Sequence, residues 1–195
     1  MAGDDVQTWL RSTGPRVLRR IGVKPGQVVA DLGCRWGHYA RAAAQIVGEG
    51  GRVYAVDRDE ESLQGLRDHI GEHGVTNVVP VQADMCIDAL PIPPESVDVV
   101  LLFDVLHGVF FPAREQRRAL LQRVRQWIAP HGVLAVYPTH VRQHGPPLAV
   151  IEHDIQSQGF GEIGRSRPYL LHDDRRVRGW VIRYRPSPHE GGGRL

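Results

Sequence analysis

The chain has 195 residues, 42% of them hydrophobic, enough to bury one substantial core and too few for two ordinary catalytic domains, so residues 1–185 are read as one domain. Its 24 basic and 22 acidic side chains leave a formal charge of +2, which excludes the strongly basic body of a general nucleic-acid binder. No stretch approaches the ~18 uninterrupted apolar residues that cross a bilayer, Met1-Ala2-Gly3-Asp4-Asp5 lacks the marks of a signal peptide, and Cys34 and Cys86 have no metal or disulfide spacing, so the reading is a cytoplasmic protein with free thiols.

In chain order, Val6, Leu10, Val17, Leu18 and Ile21 fall at mostly helical spacing. Gly14-Pro15 predicts that residues 1–21 split into two short helices forming a flank or lid. After the turn at residues 22–26, five short apolar runs rich in β-branched residues read as buried strands: Val28–Leu32, Arg52–Val56, Val78–Gln82, Val97–Phe103 and Val133–Tyr137. Helical patterns at His38–Val47, Glu60–His73 and Ala113–Ile128 alternate with them, which predicts an α/β fold with parallel strands, crossover helices and three layers. Pro147–Gln158 reads as a further helix. Ile163–Leu171 and Gly179–Arg185 then read as two strands about the polar turn His172–Arg176, an antiparallel hairpin added to a parallel sheet. Residues 186–195, with Gly191-Gly192-Gly193, have no core-forming content and are expected to be a disordered tail.

Arginine supplies 23 of the 24 basic side chains. Arg114, Arg117, Arg118, Arg123 and Arg125 gather on one helix whose buried face is marked by Leu120, Leu121, Val124, Trp127 and Ile128, so the arginines are expected to face water. His69 and His73 share a helix face with nothing to complete a metal site.

The turn after the first strand is the usual ligand loop of an open α/β sheet. Here it reads Asp31-Leu32-Gly33-Cys34-Arg35-Trp36-Gly37. Gly33 and Gly37 admit tight backbone geometry and close approach to a ligand. The G-x-G-x-x-G of dinucleotide binders is absent, since Arg35 and His38 occupy its second and third glycine positions. Asp31 would repel a pyrophosphate and suits a ligand carrying an ammonium and a sulfonium. Asp57, at the end of the second strand, can accept from both hydroxyls of a ribose. Beyond the third strand, Asp84 is placed to accept from an adenine amine while Met85 packs on the ring.

On these residues the chain resembles the class I S-adenosylmethionine-dependent methyltransferases, over roughly residues 22–184, and within them the small-molecule branch described as ubiquinone-biosynthesis-like or type 11. The resemblance rests on Asp31, Gly33 and Gly37, Asp57, Ala83-Asp84 and the apolar fourth strand ending at Phe103, together with a reversed last strand. It implies a Rossmann-like, mostly parallel seven-stranded sheet with an antiparallel C-terminal hairpin. It further implies S-adenosylmethionine as cofactor, held by Asp31, Gly33, Cys34, Gly37, Asp57, Arg58, Ala83, Asp84, Met85 and Phe103. Arg35 departs from the family's middle glycine: either that position points away from the ligand, or Arg35 and Trp36 crowd the methionine moiety.

The methyl group of such a fold lies near Phe103-Asp104-Val105-Leu106-His107. The Asn-Pro-Pro-Tyr or Asp-Pro-Pro-Tyr motif used on base and glutamine nitrogens is missing, so a small-molecule acceptor is the expected partner, with neither nucleic acid nor membrane. His107 is the candidate general base, because imidazole titrates near neutral pH; the alternative is that it lines the following helix. Asp104 is placed for the methionine ammonium or for an exposed turn. Tyr137 and His140 are further pocket candidates, and Trp9 and Arg11 either close over substrate or belong to a packed flanking helix. A noncatalytic protein of this fold, and an RNA or protein methyltransferase, are the rival readings.

Overall fold

The computed structural model describes residues 2–139 and 145–188. The chain begins with α1 (Ala2–Thr8), a π-helical turn at Trp9–Thr13, and α2 (Gly14–Ile21). Contrary to expectation, Gly14-Pro15 does not break the segment. Pro15 sits in the first turn of α2, where its missing N–H needs no partner, and the wider π turn absorbs the change of register.

The five apolar runs form β1 (Val28–Leu32), β2 (Arg52–Asp57), β3 (Val78–Gln82), β4 (Val97–Phe103) and β5 (Ile128–Tyr137). Between them run α3 (His38–Val47), α4 (Glu60–Glu72) and α5 (Arg114–Trp127), and α6 (Leu148–Ser157) follows β5. The sheet order is β3-β2-β1-β4-β5, all parallel, continued beyond β5 by β9 (Val181–Pro186) and β6 (Phe160–Ser166). The order reverses between β1 and β4, which opens a crevice beyond the carboxyl ends of those strands. One apolar layer, including Trp9, Leu18, Ala43 and Leu66, packs α1 to α4 on one face of the sheet. The other, including Leu121, Val124, Ile151 and Ile155, packs α5 and α6 on the opposite face.

The C-terminal part follows the expected plan with one insertion. The run read as a single strand, Ile163–Leu171, is divided at Pro168 into β6 (Phe160–Ser166) and β7 (Tyr169–His172), since proline has no N–H for a continuing ladder. β7 pairs only with β8 (Arg175–Arg178) as a separate two-stranded hairpin. β9 (Val181–Pro186) then returns antiparallel between β5 and β6. The antiparallel pair in the main sheet is therefore β6 and β9, and Pro186 closes β9 rather than opening a tail; residues 189–195 lie outside the described residues.

The arginine face of α5 also differs from the reading. Arg117 is 3% exposed and its guanidinium donates to Phe111 O at 2.9 Å and to Asp154 Oδ2 at 3.1 Å. Arg114 donates to Asp154 Oδ1 at 2.5 Å. Positions 114, 117, 121 and 124 share one helical stripe, so α6, by placing the fully buried Asp154 opposite that stripe, draws Arg117 inward, whereas Arg114 reaches the same carboxylate with a side chain 43% exposed.

Candidate functional site

Beyond the carboxyl ends of β1 to β4 lies a cavity of about 1150 Å³. Of the residues singled out in the sequence, Gly33, Cys34, Arg35, Trp36, Asp57, Arg58, Ala83, Asp84, Met85, Phe103, Asp104 and His107 line it. Asp31 and Gly37, also expected in the site, are not among its lining residues. Tyr137 does not reach it: the ring is buried, edge-on to Phe103 at 6.1 Å. Trp9 is a core residue, fully buried against the edge of Tyr39. His140 lies outside the described residues. His69 and His73 stack on each other at 4.1 Å, and among the described residues no cluster suited to a metal occurs.

The loop between β1 and α3 is built on left-handed backbone. Gly33, Arg35 and Gly37 have φ of 80°, 47° and 69°. A Cβ on Gly33 would come within 2.7 Å of Val105, and one on Gly37 within 2.6 Å of Leu66, so both positions need the absent side chain as well as the torsion. Arg35 adopts the left-handed torsion despite its side chain, and its amide is drawn to Asp57 Oδ2 at 2.7 Å. Its guanidinium turns toward Asp173 at 3.2 Å, while Trp36 leans on Gly65 of α4. The Arg35 side chain, 64% exposed, therefore sits with Asp173 at the rim of the cavity, which both residues line.

The acids at the strand ends differ in environment. Asp31 is 2% exposed. Burial lifts its carboxyl to about 7, the Ala40 amide draws it down in part, and the charge of Asp57 raises it again; its Oδ2 has no hydrogen-bond partner among the described residues. Asp57 accepts from the amides of Arg35 and Asp59, one on each oxygen, and each oxygen keeps a further lone pair for a hydroxyl. Asp84 accepts from the Cys86 amide at 2.8 Å. Burial, reinforced by Asp31 and Asp57, pushes the Cys34 thiol far up, which leaves it inert as a nucleophile. A buried orphan carboxylate oxygen, a glycine loop with no room for a Cβ at residues 33 and 37, and an Asp57 carboxylate with lone pairs open on both oxygens fit a cationic amino-acid nucleoside such as S-adenosylmethionine.

The β7–β8 hairpin closes one side of this cavity, and local pattern reading did not assign it to the site. Its two-residue turn, Asp173 and Asp174, has φ of 46° and 58°, as a tight hairpin turn requires. Asp173 pairs with Arg35, and Asp174 with His38 Nε2 at 3.0 Å. Burial lowers the His38 imidazole, and Asp174 counters part of that shift. The Tyr39 hydroxyl donates to Leu171 O and accepts from Leu171 N–H, both at 2.9 Å, while Trp9 Nε1 donates to Tyr169 O. His172 Nδ1 lies 3.0 Å from Asp104 Oδ2, and His107 Nε2 lies 3.7 Å from Asp104 Oδ1. His107 Nδ1 accepts from the Val109 amide at 3.4 Å, and its ring lies 4.7 Å from Phe110. His172 carried no motif; its only sequence mark was a place in a polar turn.

Comparison with known proteins follows the same lines. Residues 29–132 match a methyltransferase domain family. Among curated relatives, a ubiquinone/menaquinone biosynthesis C-methyltransferase of Ectopseudomonas mendocina is 30% identical over 82% of this chain and 58% of its own length. A tRNA (adenine(58)-N(1))-methyltransferase catalytic subunit of Yarrowia lipolytica is 30% identical over 43% of this chain and 21% of its own. The chain thus spans little more than half of the one relative and about a fifth of the other. A crystal structure of an S-adenosylmethionine-dependent methyltransferase from Aquifex aeolicus superposes with a TM-score of 0.69 at 20% identity, covering 94% of this chain and 97% of that one, which shows the shared fold. The chain belongs to the methyltransferase domain family, with the class I Rossmann-like fold and S-adenosylmethionine as the cofactor that family and fold imply.

Proposed function

We propose that the protein transfers a methyl group from S-adenosylmethionine to a small, planar, largely apolar acceptor. The observation that carries this reading is a single cavity with two chemically distinct parts. One part is the acidic, glycine-lined cradle; the other is a wall of Val109, Phe110, Phe111 and Ala119. At about 1150 Å³ the cavity exceeds the ~300–1,000 Å³ typical of a site for one drug-sized ligand, so it has room for a cofactor and an acceptor side by side.

The cofactor supplies a methyl group activated on a sulfonium. The protein binds and orients: Asp57 takes the ribose, Asp84 and Met85 the adenine, and buried Asp31 faces the cationic tail. The aromatic and aliphatic wall excludes water and holds the acceptor ring, which is the larger part of what an in-line displacement needs. His107, on the cavity wall beside Asp104, receives a proton from an acceptor that must lose one.

The relatives named as C-methyltransferases of ubiquinone and menaquinone biosynthesis support a small-molecule acceptor, whereas those named as tRNA methyltransferases support a nucleotide. A radiolabelled methyl group followed from cofactor into a panel of phenols and quinols, with bulk RNA and denatured lysate protein alongside, separates them. Label in the small aromatics is the expected result; label in RNA or protein alone overturns the reading. Turnover unchanged in His107→Ala would remove that residue from the chemistry.

A further inference from the structure

Seven large apolar side chains are exposed among the described residues: Trp36, Ile87, Val109, Phe110, Ile163, Tyr169 and Trp180. Six of them lie beyond one edge of the sheet. Trp36 follows β1, Ile87 follows β3, and Val109 and Phe110 follow β4. β6 runs parallel to these strands through its antiparallel pairing with β9, so Tyr169, after β6, and Trp180, before β9, lie at the same edge. Only Ile163, within edge strand β6, stands apart. This is also the edge at which the cavity opens.

Charge is distributed unevenly about that edge. Residues 167–178, the β7–β8 hairpin and its flank, hold four arginines against Asp173 and Asp174. Both acids are already paired, with Arg35 and His38. Arg165 is held by Glu162 and Glu152. Exposed Arg167, Arg175, Arg176 and Arg178 have no carboxylate within ion-pair distance among the described residues, and three of them lie over Trp180 or Tyr169 at 5.4–6.0 Å.

From this we infer that the carboxyl edge of the sheet is a docking face for an anionic lipid surface. Arginines beside exposed tryptophan and tyrosine suit the headgroup layer, and apolar side chains at the cavity mouth reach into the acyl boundary. A single-stranded RNA would use the arginines and rings by stacking, but it has no use for the aliphatic Ile87, 77% exposed at the cavity mouth, and this decides between the two. No helix among the described residues is long and apolar enough to cross a membrane, and peripheral docking needs none. The inference rests on the acceptor reading only for its purpose, the delivery of an apolar acceptor from lipid into the cavity.

Co-sedimentation tests it without any acceptor. The probes are vesicles of equal parts phosphatidylserine and phosphatidylcholine, vesicles of phosphatidylcholine alone, and poly(U). The protein should sediment with the anionic vesicles, be released by salt, and stay in solution with phosphatidylcholine. Joint substitution Arg167→Ala, Arg175→Ala, Arg176→Ala and Arg178→Ala should weaken binding about tenfold or more, and Ile87→Ser with Val109→Ser should weaken it severalfold, both with wild-type melting curves. Equal sedimentation with both vesicle types, or undiminished binding by the arginine variant, overturns the proposal, as does retention of poly(U) without vesicle binding. Should the serine pair fail to fold, the arginine variant and the salt release decide. Cofactor binding measured on the same variants reports separately on the methyl-transfer reading.

Discussion

Asp31 shows how a residue proposed to bind the cofactor is costly to the fold. With its carboxyl raised from 3.8 to about 7, the folded protein holds a proton that the unfolded chain has released. Stability therefore falls as pH rises between those values, by roughly 4 kcal/mol at most, and stays low above pH 7. Asp31→Asn should raise the melting temperature relative to wild type at pH 8 by a few degrees, and by less at pH 5, while weakening cofactor binding. Because a cationic ligand favours the carboxylate, wild-type affinity should decline as pH falls below 7, with proton release on binding seen as a buffer-dependent heat. Asp154 is the opposite case: buried between Arg114 and Arg117, its loss leaves an uncompensated buried guanidinium. Asp154→Ala is expected to cost about 3–5 kcal/mol in urea unfolding. The sequence showed the arginines but not their partner, because Asp154 lies 37 residues beyond Arg117 and only tertiary packing brings it near.

At the scale of elements, β1 to β4 and their helices were readable because each carries its own apolar period and its own turn residues. The cofactor loop was readable for the same reason: Asp31, Gly33, Gly37 and Asp57 are local marks at strand ends. The β7–β8 hairpin was not. Its contribution to the cavity depends on Tyr39–Leu171, Arg35–Asp173 and His172–Asp104 contacts that span more than 60 residues. Tyr39→Phe, which strands the Leu171 amide, should cost about 1–3 kcal/mol. Asp173→Asn with Asp174→Asn keeps residues that tolerate the left-handed turn and removes exposed pairs worth about 0–1 kcal/mol each, so global stability should barely change while amide exchange across residues 169–178 speeds up. Gly37→Ala tests the loop itself: a left-handed torsion and the Leu66 contact should cost about 1–3 kcal/mol and weaken cofactor binding.

Over the whole molecule, fold, cavity and family agree on one arrangement, a crevice at the sheet's switch point with an acidic rim along successive strand ends. Isothermal titration of the protein with S-adenosylmethionine, alongside Asp57→Ala, tests that arrangement most directly. Binding at one site per chain is expected, weakened about tenfold to a hundredfold in the variant, which loses charge-assisted hydrogen bonds to the ribose. An absence of binding by the folded wild-type protein, or equal affinity in the variant, would contradict it.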